Sequence, residues 1–197
     1  MIRETIITTM APDGRVHVAP MGLTVDGDRF VLAPFRPSTT LENLQANPCA
    51  VANYTDDVLV FATCIAGRRD WPTRPAAKIR GAVLEQALAH AELTVEGFED
   101  DELRPRYRCA VVHEENHRPF RGFNRAQAAV IEAAILVSRL HMLPPEKIAR
   151  EVEYLEIAIS KTAGPREREA WELLMDRIRS HAAETGGAIL PATGGRA

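Results

Sequence analysis

The chain has 197 residues, of which 46% are hydrophobic and 26% are charged, and its formal net charge is −3. A chain of this length can bury a core of its own, and the composition is typical of a soluble globular protein. Basic residues are scattered among acidic ones, which argues against a nucleic-acid partner. No window approaches the roughly 18 apolar residues of a membrane span, so we expect no membrane partner.

The cysteines and the amino terminus indicate a cellular compartment. Cys49, Cys64 and Cys109 are far apart and include no C-x-x-C pair. This spacing suggests neither a disulfide framework nor a zinc ribbon. The first ten residues, MIRETIITTM, contain no apolar core of signal-peptide length. We therefore expect the protein in a reducing cytoplasm.

The first part of the chain predicts β-structure with one short helix. The stretch ETIITTMAPDGRVHVAPMGLTVDGDRFVLAPF predicts three strands, joined by turns at Pro12-Asp13-Gly14 and Asp26-Gly27-Asp28. The stretch PSTTLENLQANP then predicts a helix that has Ser38 or Thr39 as its cap and ends at Asn47-Pro48.

Further strands are expected up to about residue 115. The segment CAVANYTDDVLVFATCI predicts one or two strands, and RYRCAVVHE predicts another. Between them, AAKIRGAVLEQALAHAELTVEGF also suits a helix because of its alanine, leucine, glutamate and glutamine content. A strand is the preferred interpretation of this segment.

The C-terminal part changes to helical periodicity. A helix begins after Asn124, a good capping residue, and a second begins at Pro145. Gly164-Pro165 ends the second helix and starts a third, on which Trp171 and Leu174 share an apolar face. These patterns predict an α+β protein with a β-domain over 1–120, a C-terminal helical hairpin or three-helix segment over 121–184 and a flexible tail over 185–197.

The sequence contains the residue order of a zinc-binding motif. His113, Glu114 and His117 follow the order H-E-x-x-H, which binds zinc in peptidases when a helix places both histidines on one face. The preceding residues predict a strand instead, and Pro119 would disrupt a helix. We therefore predict no metal at 113–117 and keep a zinc hydrolase as a remote alternative.

A phosphate-binding segment is the clearest functional candidate. Arg36, Ser38, Thr39 and Thr40 gather where the short helix begins. Hydroxyl groups, an arginine and free backbone N–H groups at the positive end of a helix dipole can bind a phosphate. Plain helix capping is the alternative, and it needs only one of these hydroxyls.

Four segments in order, APMG, LAPFRPSTTLENL, AVANYTDD and RPFRGFNRAQAAVIEAAILVSRL, resemble the DUF447 family of FMN-binding split-barrel proteins. The resemblance covers residues 2 to about 182. It implies a split β-barrel related to flavin reductases and pyridoxamine phosphate oxidases, with a helical C-terminal addition. It also implies a homodimer with FMN at the subunit interface, and it brings no defined reaction.

On this chain, the resemblance suggests that Arg36, Ser38, Thr39 and Thr40 hold the FMN phosphate. An amide side chain can match the carbonyl and N–H groups of the flavin pyrimidine edge. Asn53, supported by Thr55, is the candidate, and a turn residue after a strand is an equal alternative.

The glycine in the APMG segment suggests a second approach to the ring. Met21 and Gly22 can bring backbone close to the flavin, because glycine has no side chain to keep the two apart. A bulge in a barrel strand is an equally good interpretation of the same residues.

The expected function is that of a flavin-dependent oxidoreductase, similar to a flavin reductase, with NADH or NADPH as a possible electron donor. This function needs no side-chain nucleophile, in keeping with the absence of a G-x-S-x-G elbow. The alternative is a non-enzymatic flavin carrier or sensor with the same pocket.

Overall fold

The computed structural model describes residues 1–186 and divides the chain into two compact units. The first unit contains Met1–Asp56 and Arg69–Arg121, and the second contains Asp57–Arg68 together with the described residues from Gly122 onward. Within residues 1–186, all eight strands belong to the first unit and four of the five α-helices belong to the second. The expected α+β class is confirmed.

The first unit is a closed antiparallel barrel. Its strands are β1 (Ile2–Met10), β2 (Val16–Asp26), β3 (Arg29–Leu32), β4 (Cys49–Tyr54), β5 (Thr73–Pro75), β6 (Ala82–Leu84), β7 (Ala89–Glu99) and β8 (Arg106–Asn116). The barrel closes in the order β1-β2-β3-β8-β7-β4, whereas β5 and β6 form a separate two-stranded sheet. The predicted split-barrel architecture is thereby confirmed.

The predicted turns join the first three strands. Gly14 and Gly27 have φ angles of 90° and 61°, a region that side chains with a Cβ rarely adopt. The strand interpretation of the segment from 76 to 98 holds in part, because it forms β6 and most of β7 with a turn between them.

The barrel interior is apolar, and one helix contributes to it. Alternate residues of the strands point inward, and α1 (Thr39–Ala46) adds Leu41 and Leu44 to the same cluster. The side-chain amide of Asn43 donates to Thr9 Oγ1 over 3.0 Å, which ties α1 to β1. The helix therefore packs by Thr40, Leu41, Asn43 and Leu44, and within its first turn Thr39 and Glu42 remain exposed.

The second unit is helical. Its elements are α2 (Val58–Ile65), α3 (Arg125–Val137), a short 3-10 turn (Leu140–Met142), α4 (Pro145–Thr162) and α5 (Pro165–Thr185). Asn124 caps α3 by accepting from the Ala126 N–H over 2.8 Å, as predicted. Trp171 and Leu174 of α5 are buried, as their spacing predicted. The tail expected from 185 begins at the end of α5, and residues 187–197 lie outside the described part.

The prediction of one or two strands over CAVANYTDDVLVFATCI is confirmed for β4, but its second half was wrong, because Val58–Ile65 is the helix α2. A short, continuous apolar run cannot be told from a buried helix by periodicity. Asp57 starts the helix by accepting from the Leu59 N–H over 3.2 Å. Seven of its eight residues are buried, and it packs against α3 and α5. Contacts thus group 57–68 with the helical unit, whereas the expected division at residue 120 places this segment in the β-domain.

Within residues 1–186, no helix combines the length and the apolar character needed to cross a membrane.

Candidate functional site

The first turn of α1 has the features of an anion site. Ser38 is the N-cap, and its Oγ accepts from the Leu41 N–H over 3.2 Å. Thr39 is exposed beside it, whereas Thr40 is only 3% exposed. The first N–H groups of a helix have no intrahelical partner and lie at the positive end of the dipole. The cap needs Ser38 alone, so it does not account for the exposed hydroxyl of Thr39.

Arg36 precedes this helix and is held by an acidic partner. Its guanidinium donates to Asp100 Oδ1 over 2.7 Å, in a pair whose side chains are 41% and 71% exposed. Its backbone N–H donates to the Leu103 carbonyl over 2.9 Å, and the Arg104 guanidinium lies 4.6 Å from the ring centroid of Phe35. An ion pair this exposed contributes little to stability, so a stronger anion can replace the carboxylate.

Asn53 is fully buried, and its amide is used within the barrel unit. Nδ2 donates to the Ile6 carbonyl over 3.0 Å and to Thr8 Oγ1 over 3.2 Å. Oδ1 accepts from the backbone N–H of Leu84 over 2.8 Å. These contacts join β6 to β1 and β4. Asn53 lies within β4, so the alternative of a turn residue after a strand was wrong, and its contact with a flavin edge stays a prediction.

The strand β1 brings two further candidates into one part of the sheet. Thr5 pairs with Met21 and the next residue, Ile6, pairs with Asn53. Because consecutive strand residues point to opposite faces, the side chain of Met21 faces the barrel interior and that of Asn53 faces outward. The two side chains therefore cannot contact one face of a ligand.

Gly22 follows Met21 and lies on the outward face. A Cβ atom at Gly22 would lie 2.9 Å from Cγ2 of Ile2, an exposed side chain near the chain start. The atoms nearest to this position belong to the side chains of Ile2 and Glu4, so the backbone of Gly22 is covered by side chains and not by another strand. Thr55 is half-buried just after β4, and its Oγ1 donates to the Gln86 carbonyl over 3.5 Å.

The H-E-x-x-H segment does not form a helix. His113 lies on β8, which ends at Asn116, and His117 follows it with its N–H bonded to the Leu88 carbonyl over 2.7 Å. The predicted strand is confirmed here. The helical geometry of a zinc peptidase is therefore not formed.

A cluster of histidines nevertheless forms on this face, and its central residue was missed in the sequence. His90, on β7, pairs with Glu115, and Glu92 pairs with His113. The stacked rings of His90 and His117 have centroids 5.0 Å apart, and His90 Nδ1 lies 2.8 Å from His117 Nε2. The repeated pattern H-x-E, at 90–92 and 113–115, was the available sign of this cluster.

Glu92 links the histidine cluster to the backbone of residues 77–79. Its carboxylate, with no exposed surface, accepts from the backbone N–H groups of Ala77, Lys78 and Ile79 over 2.6, 2.7 and 3.1 Å. Burial alone raises the pKa of Glu92, but the N–H donors, with His90, outweigh it and lower the pKa below its usual value. The carboxylate therefore stays ionised inside the protein.

The cysteines of the barrel are not activated nucleophiles. Burial raises the pKa of Cys49, and burial together with Cys49 and Glu96 raises the pKa of Cys109 to about 12. Both side chains are therefore thiols at neutral pH, and thiolate chemistry has no support in the barrel.

The closed six-stranded barrel, the short helix α1 and the helices after β8 define a protein with the FMN-binding split-barrel fold. Two family models match, "Protein of unknown function (DUF447) N-terminal domain" over residues 3–118 and "Protein of unknown function (DUF447)" over residues 124–176. The chain belongs to the DUF447 family.

Solved structures share the fold. An FMN-bound DUF447 protein from Methanosarcina mazei has a TM-score of 0.77 over 89% of this chain and 94% of its own, at 21% identity. Flavoredoxin from Methanosarcina acetivorans has a TM-score of 0.52, covering 59% of this chain and 69% of its own at 10% identity. An FMN-binding protein from Thermus thermophilus with bound 1-cyclohex-2-enone has a TM-score of 0.51 (57% and 69% covered, 14% identity).

Proposed function

We propose that this protein binds FMN and acts as a flavin-dependent oxidoreductase. The observation that carries the proposal is the start of α1, where Thr39 is exposed beside the Ser38 cap and the guanidinium of Arg36 pairs with the exposed carboxylate of Asp100. Support comes from the Methanosarcina mazei relative, which shares the family and the fold and is FMN-bound.

The phosphate of FMN fits this turn by charge and by donor type. Arg36 supplies a guanidinium, and the hydroxyls of Ser38 and Thr39 add neutral donors. Thr40 contributes its backbone N–H, because its side chain is buried. A dianion gains from the helix dipole and from charge-assisted hydrogen bonds at the same time.

The flavin ring is assigned to the β2 side of the barrel. Backbone of Met21 and Gly22 would support it, and Thr55 would lie at its polar edge. Asn53 acts indirectly in this proposal, by holding β6 against β1 and β4. When bound, FMN supplies hydride and electron transfer, and the protein binds and orients it.

Absorption spectroscopy tests the cofactor and the phosphate site together. The purified chain is mixed with FMN or riboflavin and desalted, and both dissociation constants are measured by flavin fluorescence. Loss of a charge-assisted hydrogen bond weakens binding by about 10- to 100-fold, so Arg36→Ala and Thr39→Ala should weaken FMN binding and leave riboflavin unaffected. Arg15→Ala, which removes an exposed arginine paired with Asp13, is the matched control.

The outcomes separate the parts of the proposal. Failure of the wild-type chain to retain FMN contradicts the cofactor. If Arg36→Ala loses as much affinity for riboflavin as for FMN, only the proposed position of the phosphate is contradicted. If FMN is retained, anaerobic NADH or NADPH should bleach the visible flavin absorption, and a flavin that neither donor reduces favours a carrier or sensor.

The proposal includes a homodimer with FMN at its interface. Support comes from apolar side chains of the barrel unit that are exposed in the single chain, namely Ile2, Phe35, Phe98, Leu103 and Val112. Exposed apolar surface of this kind marks interaction sites. Light scattering should give twice the chain mass, and dilution to monomer should release FMN.

A further inference from the structure

We propose that His90, His113 and Glu115 form a binding site for a divalent transition-metal ion, with Zn²⁺ as the best match. One ligand atom from each residue lies within 4.8 Å of the other two. The site differs from the H-E-x-x-H motif, since its central ligand comes from β7 and its carboxylate is Glu115. It is independent of the proposed flavin function.

The spacing of the cluster suits a tetrahedral ion. Two ligands bound to zinc at about 2.0–2.1 Å lie about 3.3 Å apart. Glu115 Oε2 lies 3.9 Å from His113 Nε2, and the three ligand atoms all lie within 4.8 Å of one another. Contraction by up to about 1.5 Å between ligand atoms, which side-chain rotation can supply, brings the three atoms to the coordination distance.

Glu92 prepares His90 for this role. His90 Nε2 lies 3.4 Å from Glu92 Oε1, and three backbone N–H groups hold that carboxylate in place. A carboxylate bonded to one ring nitrogen keeps the proton there and orients the lone pair of the other toward a metal. The network therefore assigns the lone pair of His90 to Nδ1, the ring nitrogen that lies 2.8 Å from His117 Nε2. His90 is only 1% exposed, so its ring is held rigidly.

Two neighbouring side chains, His117 and Arg74, contact the cluster. The His117 ring lies against His90 Nδ1, and the Arg74 guanidinium lies 3.0 Å from His117 Nε2 and 3.9 Å from Glu115 Oε2. An ion at Nδ1 replaces the His117 contact and repels the Arg74 charge. The side chain of Arg74 is 42% exposed and can withdraw into solvent.

The site takes hydrated divalent ions that prefer imidazole and carboxylate ligands. Two histidines and one carboxylate leave at least one coordination position for water. This ligand set excludes soft ions that require thiolates, because the cluster contains no cysteine. The chemical class of the ligand is therefore a zinc-like ion.

Metal titration of the full chain tests the proposal. After chelator treatment and desalting, Zn²⁺ is titrated by calorimetry, and Co²⁺ absorption reports the coordination geometry. We expect one ion per chain, at least a tenfold loss of affinity in His113→Ala and in Glu115→Gln, and no change in His141→Ala, an exposed histidine of the helical unit. Arg74→Gln should tighten binding, because a competing positive charge is removed.

His117→Ala separates this site from the peptidase motif. Retention of one zinc per chain in His117→Ala supports the proposal. Loss of zinc from His117→Ala, together with retention of zinc by Glu115→Gln, overturns it. Circular dichroism confirms that each variant is folded. Absence of stoichiometric binding to the folded wild-type chain also overturns the proposal and leaves a purely hydrogen-bonded histidine cluster.

Discussion

The guanidinium of Arg36 donates to Oδ1 of Asp100 across 2.7 Å and joins the segment before α1 to the turn before β8. The carboxylate of Asp100 is therefore paired with the same guanidinium that is proposed to bind the FMN phosphate. A phosphate and this carboxylate compete for one guanidinium, and the competition gives the first prediction.

Asp100→Asn should tighten FMN binding. Removal of an exposed carboxylate changes the electrostatic free energy by about 0.3–1 kcal/mol, which corresponds to an affinity gain of about two- to fivefold. Fluorescence titration with FMN measures the gain, and Asp13→Asn, in the pair with Arg15, should leave affinity unchanged. Unchanged affinity in Asp100→Asn would place the phosphate away from Arg36.

Asn53→Leu should destabilise the barrel unit. The change leaves the buried Leu84 N–H without its acceptor and removes the donors to Ile6 and Thr8. Unsatisfied buried polar groups make the expected loss about 2–4 kcal/mol, measured by denaturant unfolding. Thr55→Ala, at a half-buried neighbour, should cost less than about 1 kcal/mol. Unaltered stability with selective loss of flavin affinity would favour the ring-contact hypothesis for Asn53.

His17 should make stability depend on pH. Burial, assisted by the positive charge of Arg69, lowers the pKa of His17 from 6.5 to about 4. The unfolded chain binds this proton below pH 6.5 and the folded chain does not until about pH 4, so stability falls as pH falls through this window. The partial exposure of the ring limits the loss to about 1–2 kcal/mol.

The measurement for His17 is chemical denaturation at a series of pH values. His17→Gln should lose less stability than the wild type between pH 6.5 and about pH 4. His141→Gln, at an exposed position, should follow the wild-type profile. Parallel profiles for His17→Gln and the wild type would refute the assignment of this pH dependence to His17.

Asp57→Ala should destabilise the helical unit. Asp57 caps α2 and also accepts from the guanidinium of Arg166 on α5. Loss of a cap costs about 0.5–2 kcal/mol, and the ion pair adds less than about 1 kcal/mol. Thermal unfolding of Asp57→Asn isolates the ion pair, since asparagine keeps a capping oxygen. Equal losses in the two variants would show that the cap contributes nothing.

Local patterns predicted much of the fold. The turns at Gly14 and Gly27 and the Asn124 cap of α3 depend on neighbours within a few residues, so the sequence displays their causes. The cap of α1 was predicted as Ser38 or Thr39, and it is Ser38. The helix α2 was not predicted from local patterns, because it is buried on nearly every side and lacks the polar face that would reveal a helical period.

Site residues that are neighbours in the chain were also easier to predict than contacts between distant residues. The segment from Arg36 to Thr40 was visible because its residues are consecutive and belong to one helix start. The partner of Arg36, 64 residues away, was not visible. The role of Asn53 was left open for the same reason, since its acceptors and donor lie on β1 and β6.

The sequence by itself determined the turns at Gly14 and Gly27, the caps of α1 and α3 and the helix start that suits a phosphate. Those features arise from interactions between residues close in the chain. Only the tertiary structure decided that His90 meets His113 and His117, that Asp100 holds Arg36 and that α2 joins the helical unit. These groups are brought together by strand register and by the packing of distant segments. Both depend on contacts summed over the whole folded chain, so short sequence patterns do not display them.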